Sequence, residues 1–202
     1  MTRRARNEIL FDGCFAHILS RSFDQQWIFE DQEDFETFKA LLLENKHRSG
    51  FLLHHYCLMN THLHLLVSLP RLSRFSRSLQ RLKWQYTTYY NRRHKRTGPL
   101  WRERFKSLLT EDAAYLHACG LYVEENPVKA GLVEKREDWP HSSAAYYVLG
   151  RKDSLIDPYE FDGSIEALPR MEEAMFTKGI GIGSELFLLH LKEGILNELS
   201  VP

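Results

Sequence analysis

Apolar and polar positions alternate along residues 14–22 (CFAHILSRS), 51–59 and 61–68. A period of two marks strands whose two faces meet different surroundings, so three strands are predicted, the last two joined near Asn60. Between them, Phe35, Phe38, Leu41, Leu42 and Lys46 recur at helical spacing behind Asp34 and ahead of Gly50. A helix over 34–49 is therefore predicted, capped by Asp34 and stopped by the glycine. A longer helix is predicted from Ser73 to about Arg96, with Phe75, Leu79, Leu82, Tyr86 and Tyr89 or Tyr90 on its apolar stripe. Thr97, Gly98 and Pro99 break it, and 101–110 (WRERFKSLLT) reads as a fourth strand. The order strand, helix, strand, strand, helix, strand is the ferredoxin-like split βαβ arrangement. It is an α+β fold, an antiparallel sheet with helices on one face.

Around this frame the pattern is less regular. Residues 1–13 form a basic arm running into a loop, and 23–32 reads as a loop whose Trp27, Ile28 and Phe29 fold back onto the body. Glu111 or Asp112 opens a helix through Tyr115, Ala118, Cys119 and Tyr122, ended by Pro127 because the residue before a proline is pushed out of the helical region. Residues 128–150 are turn-rich, with a small helix in WPHSSAAYYVLG. Two further helical patterns, 164–177 and 184–199, are separated by KGIGIGS. A division into a domain over 1–150 and a C-terminal helical extension over 151–202 follows.

Composition narrows the setting. The three cysteines, Cys14, Cys57 and Cys119, are widely spaced without a C-x-x-C pair, which suits buried reduced thiols better than a disulfide framework or structural zinc. No apolar run reaches the length of a membrane span and no apolar segment follows the N-terminal arginines, so a soluble, cytoplasmic protein is expected. Formal net charge is zero, but its distribution is not even. Residues 71–110 hold 12 Lys or Arg against one acid, Glu103, whereas 150–202 hold 5 against 10. A basic middle with an acidic tail is the asymmetry of a chain that offers one surface to phosphate, although a solvated helix face can also be basic.

The candidate chemistry lies in HHYCLMNTHLHLLVSLP. Alternation puts His62 and His64 on one sheet face and Leu63, Leu65 and Val67 on the other. Two neutral imidazoles two residues apart can approach one metal ion, and they can equally sit idle on a half-exposed strand. Tyr122 and Asn126, four residues apart, project from one helix face, with Tyr115 two turns before Tyr122 on the same stripe. A phenol can attack phosphorus when a divalent cation neutralises the phosphate, and two histidines with an amide oxygen would hold such an ion. The same spacing also suits a core tyrosine and a helix terminator.

HHYCLMNTHLHLLVSLP, then NRRHKRTGPLWRERFKSLL, then YVEENPVKAGLV and DWPHSS, resemble the REP-associated tyrosine transposases, a branch of the single-tyrosine HUH transposases. The resemblance runs from about Arg3 to Gly150, with the motifs in family order. It departs at NTHLH, where the family commonly has a proline and an asparagine before the histidines. It implies a ferredoxin-like HUH nuclease domain, usually homodimeric and nucleoid-associated, that cuts and rejoins single-stranded DNA beside hairpins. On this sequence it implies His62 and His64 as the metal pair, Asn126 as third ligand and Mg²⁺ or Mn²⁺ as the ion. Tyr122 becomes the nucleophile that forms a 5′-phosphotyrosine. Arg92, Arg93, Lys95, Arg96, Arg102, Arg104 and Lys106, flanking Gly98 and Pro99, are the candidates for gripping DNA. Trp84, Tyr86, Tyr89, Tyr90 and Trp101 interleave with them as possible stacking partners. Two rivals stand beside this reading. One is a silent relative that grips hairpins without cutting; the other, a hydrolase of small phosphate esters, would need a third histidine where Leu66 stands.

Overall fold

A computed structural model describes residues 10–71, 74–111, 113–159 and 181–182 of the chain. The start of the basic arm and both predicted helices of the tail lie outside the described residues. In order come β1 (Phe15–Arg21), α1 (Gln32–Ser49), β2 (Leu52–Met59), β3 (His62–Ser68), α2 (Phe75–Arg93), β4 (Lys106–Thr110), α3 (Ala113–Glu124), α4 (Asn126–Lys129) and α5 (Ala144–Leu149). The sheet runs β2-β3-β1-β4, antiparallel throughout, and β5 (Gly181–Ile182) adds a short parallel pairing outside β4. Central β1 and β3 with this connectivity make the split βαβ fold that the pattern predicts.

The main core lies between the sheet and the pair α1 and α2. From the strands it takes Ala16, Ile18, Leu53, Tyr56, Leu58, Leu63, Leu65 and Val67; from the helices Phe35, Phe38, Leu42, Phe75, Leu79, Leu82, Tyr86 and Tyr90. These two helices share one face, as expected. The opposite face is not bare: α3 covers it through Leu116, Cys119 and Val123 against Cys57, Met59, Leu66 and Leu108. All three cysteines are buried and unbridged.

Several boundaries shift for identifiable reasons. The cap of α1 is Asp31, whose side chain accepts from the Asp34 N–H at 3.2 Å. Asp34 reaches back to the Glu30 N–H at 2.9 Å, so the two acids satisfy donors on both sides of the helix start. Ile28 and Phe29 are fully buried, as expected, but Trp27 is exposed. α2 stops at Arg93 because Lys95 takes a left-handed φ of 50°. β4 starts five residues later than predicted. Trp101 turns its indole N–H to Thr87 Oγ1 at 3.0 Å and makes only an isolated bridge with Ser22. α3 ends at Glu124, and Pro127 enters the short α4.

Residues 151–159 pack onto this body. Lys46 pairs with Asp157 at 2.7 Å, the Tyr56 hydroxyl donates to Asp153 at 2.6 Å, and Leu155 is buried. Among the described residues no helix is long and apolar enough to cross a membrane.

Candidate active site

The pleat of β3 sends Leu63, Leu65 and Val67 into the main core and His62, His64 and Leu66 toward α3. In register, His62 stands between Arg21 of β1 and Met59 of β2, and His64 between Leu19 and Cys57. The two imidazoles meet edge to face with ring centroids 5.1 Å apart. The next position on this face is Leu66, fully buried, so a third histidine in the same strand is absent and the small-ester hydrolase reading loses its motif.

A third imidazole comes from the neighbouring strand instead. His17 of β1 is buried, its ring parallel to that of His64 (1° between planes, centroids 5.0 Å), with His17 Nε2 2.8 Å from His64 Nδ1. Sequence reasoning passed over His17. Its alternation places it on this face, but only the register of β1 on β3 brings it beside His64. Burial pushes His17 down to about 3, and burial followed by the Arg21 charge pushes His62 down to about 4. His64 lies well below its ordinary value, for burial first and the neighbouring histidines after it. All three rings are thus neutral at ordinary pH, the form that ligates metals. Among the described residues no group of three or more His, Cys, Asp or Glu is arranged to hold an ion.

α3 is brought against the histidine face by Gly120. A Cβ there would lie 2.6 Å from three ring atoms of His55 on β2. His55 is in turn clamped: its Nδ1 is 2.8 Å from Glu124 Oε1 and its Nε2 2.8 Å from the Tyr159 hydroxyl, which also lies 2.7 Å from His117 Nδ1. Ser143 Oγ donates to the same Glu124 oxygen at 2.6 Å, and Glu124 has no exposed surface. This buried set fixes the helix on the sheet.

Tyr122, on that helix, is half-buried and packs against the cluster that includes Met59, Leu66 and Val123. The Lys129 ammonium sits 3.6 Å from its ring centroid. Asn126 donates its amide to the carbonyls of Tyr122 (3.2 Å) and Val123 (2.9 Å). Two carbonyl partners identify this end of the amide as nitrogen, which turns the oxygen away from the helix. His62, His64 and Tyr122 thus belong to one face of the sheet, while Asn126 opens α4, just past the end of the helix that carries Tyr122.

The basic candidates divide. Arg92, Lys95, Arg102, Arg104 and Lys106 are exposed, with Lys106 loosely paired to Glu103 at 3.4 Å. Arg96 lies over the Tyr90 ring and donates to the Pro99 carbonyl. Arg93 is committed elsewhere, at 2.7 Å from Asp31 and Asp34 and 3.2 Å from Glu33, tying α2 to the start of α1. Of the aromatic candidates only Trp84 is widely exposed. Tyr86 and Tyr90 are core, Tyr89 is hydrogen-bonded to Asp34, and Trp101 packs against the core.

The antiparallel sheet with two histidines alternating on one strand and a helix packed across that face has the fold of the HUH transposases. Residues 11–126, more than half the chain, match the family model described as "Transposase IS200 like", and the chain belongs to that family. Within it, the sequence is 34% identical over 97 residues to a Haemophilus influenzae protein that carries the provisional name REP-associated tyrosine transposase. That match covers 43% of this chain and 55% of the relative, so the chain spans about half the length of that relative. The fold is similar to a solved REP-associated tyrosine transposase bound to a REP hairpin, with a TM-score of 0.63 and 19% identity over 86% of this chain and 100% of that one.

Proposed function

We propose that this protein nicks and rejoins single-stranded DNA beside hairpins through a covalent tyrosine intermediate, as a step of DNA transposition. One observation carries the reading: in a chain of this family, His62, His64 and the helix bearing Tyr122 share one sheet face. Tyr122 Oη attacks the scissile phosphorus and the bond to the 3′ oxygen breaks. A 5′-phosphotyrosine and a free 3′-hydroxyl result, the phenol proton leaving to solvent and the 3′ oxygen taking one up. Attack by a 3′-hydroxyl on the phosphotyrosine reverses the step, so joining needs no outside energy.

His62, His64 and the Asn126 oxygen would hold Mg²⁺ or Mn²⁺, a donor set consistent with the neutral rings and the outward amide oxygen. The ion would polarise the phosphoryl oxygen and orient the phosphate for in-line attack. His17 acts here as a positioning residue. With the His64 proton on Nδ1, His17 Nε2 at 2.8 Å would accept it and leave His64 Nε2 free to ligate. Lys129 would screen the charge of the phosphate that approaches Tyr122. The exposed arginines and lysines would position the strand, and a homodimer is the expected assembly.

The test is an SDS-resistant adduct on a hairpin-bearing single strand incubated with Mn²⁺. Adduct should form, and should vanish with chelator or with His62→Ala. Cleavage by His62→Ala in chelated buffer would end the metal assignment. One alternative is a silent hairpin-binding protein. Tight hairpin binding with no adduct under any divalent ion would select it.

A further inference from the structure

Residues 153–159 cross the outer edge of β2, from one face of the sheet to the other. On the first face Leu155 and Ile156 are buried in the main core, and Lys46 of α1 donates to the Leu155 carbonyl at 2.8 Å. At the edge itself Asp157 stands against Leu53. Its N–H donates to the Leu53 carbonyl at 2.7 Å, and its Oδ2 accepts from the Leu53 N–H at 2.9 Å. Two residues on, Tyr159 packs against the cluster of the opposite face, where α3 lies. The segment thus laces the two layers together and ends on the helix that carries Tyr122.

The Tyr159 hydroxyl sits between an imidazole of α3 and one of β2, 2.7 Å from His117 Nδ1 and 2.8 Å from His55 Nε2. Its ring meets those of His54, His55 and His117 with centroids 5.0, 5.7 and 6.1 Å away. Burial, and after it the neighbouring Tyr147, raises the Tyr159 phenol, while burial followed by His55 lowers His117. The hydroxyl therefore keeps its proton and the His117 ring is neutral at ordinary pH. One set of donors then satisfies every group: His117 Nδ1–H donates to the Tyr159 oxygen, the Tyr159 O–H to His55 Nε2, and His55 Nδ1–H to Glu124.

His117, Gly120 and Glu124 recur at i, i+3 and i+7, one stripe of α3 turned toward β2. A helix turns by about 100° per residue, so fixing that stripe fixes the rotation of the helix and the direction in which Tyr122 leaves it. Glu124 does this at the last turn, and Tyr159 does it two turns earlier through His117. We propose that Tyr159 is a positioning residue for Tyr122, so that the catalytic unit runs through residue 159 and does not end at Gly150, where the family resemblance stops. The inference rests on the proposed cleavage by Tyr122 and adds to it a residue outside the family motifs.

The experiment compares the full chain with its Tyr159→Phe and Asp153→Ala variants. Asp153 anchors the same segment on the α1 side, accepting from the Tyr56 hydroxyl and the Leu155 N–H, and so reports general loosening. Two quantities are read well below the melting temperature: the single-turnover rate of adduct formation on a saturating hairpin-bearing single strand with Mn²⁺, and amide hydrogen exchange in α3. Tyr159→Phe should form adduct about 10–100-fold more slowly, the cost of a misplaced nucleophile, with hairpin affinity unchanged. Its α3 amides should exchange faster than those of the wild-type protein while α1 and α2 exchange alike. Asp153→Ala should melt lower yet form adduct at the wild-type rate. A wild-type rate in Tyr159→Phe, equal slowing by Asp153→Ala, or unchanged α3 exchange overturns the assignment and leaves the cleavage chemistry standing. If the wild-type protein forms no adduct, the cleavage reading falls; faster α3 exchange in Tyr159→Phe then still supports Tyr159 as the fastening of the helix, and unchanged exchange overturns that too.

Discussion

Replacing Glu124 by alanine should loosen α3, the helix that carries Tyr122. The carboxylate is 0% exposed, and one of its oxygens serves both His55 Nδ1 (2.8 Å) and Ser143 Oγ (2.6 Å). Truncation leaves a buried imidazole facing a void, and removing one partner of such a pair costs about 3–5 kcal/mol. Against a total of about 5–15 kcal/mol, and at about 2–4 °C per kcal/mol for a chain of this size, melting should fall by about 6–20 °C. Glu124→Gln keeps the volume and one acceptor and should lose about half as much. Gly120→Ala approaches the same clamp from the other side. Its Cβ would meet the His55 ring at 2.6 Å, an overpacking worth about 1–3 kcal/mol, part of which His55→Ala should restore in the double variant. Thermal melting by circular dichroism reads all five variants, the His55→Ala single variant included. A Glu124→Ala variant that melts with the wild-type protein, or Gly120→Ala and His55→Ala effects that simply add, would refute the clamp.

His17→Ala should weaken Mn²⁺ binding about 10–100-fold in an electron paramagnetic resonance titration, with His17→Gln recovering part by restoring an acceptor for His64 Nδ1–H; unchanged affinity rejects the positioning role. Acid should destabilise the fold early. Burial holds His17 and His141 down to about 3, and His64 well below 6.5, so between those values the unfolded chain binds more protons than the folded one. Stability is therefore complete above about pH 6.5 and falls below it by about 1.4 kcal/mol per pH unit for each histidine; a melting temperature unchanged from pH 7 to about pH 4.5 would contradict this. Arg93→Ala should lower the melting temperature, because its carboxylate partners lie on α1 and the turn before it. The same variant should leave the salt slope of hairpin binding unaltered, and a slope reduced by about one would return Arg93 to the DNA surface.

The frame was legible because the period-two patterns of β1, β2 and β3 and the period-3.6 patterns of α1 and α2 each send one apolar set into the main core. The histidine pair followed from alternation alone, and Tyr122 with Asn126 from helical spacing plus the family motifs. Other features depend on register and tertiary contact. His17 is one residue of an ordinary alternating strand until β1 is laid on β3. Asp31 and Asp34 offer equally good caps, and the choice falls on Asp31 because Asp34 is drawn into the interior, 0% exposed and 3.0 Å from His94 Nε2. The early part of 101–110 alternates like a strand, yet the indole of Trp101 finds Thr87 and leaves the ladder. The covering of the histidine face by α3 depends on the missing side chain of Gly120, a meaning no local pattern conveys.

The central claim is that Tyr122 is the group that takes the DNA strand. Peptide mapping by mass spectrometry of the adduct formed with Mn²⁺ should place the nucleotide on the peptide containing Tyr122, and Tyr122→Phe should yield none while still binding the hairpin. An adduct mapped to Tyr115, or one that persists in Tyr122→Phe, would contradict it.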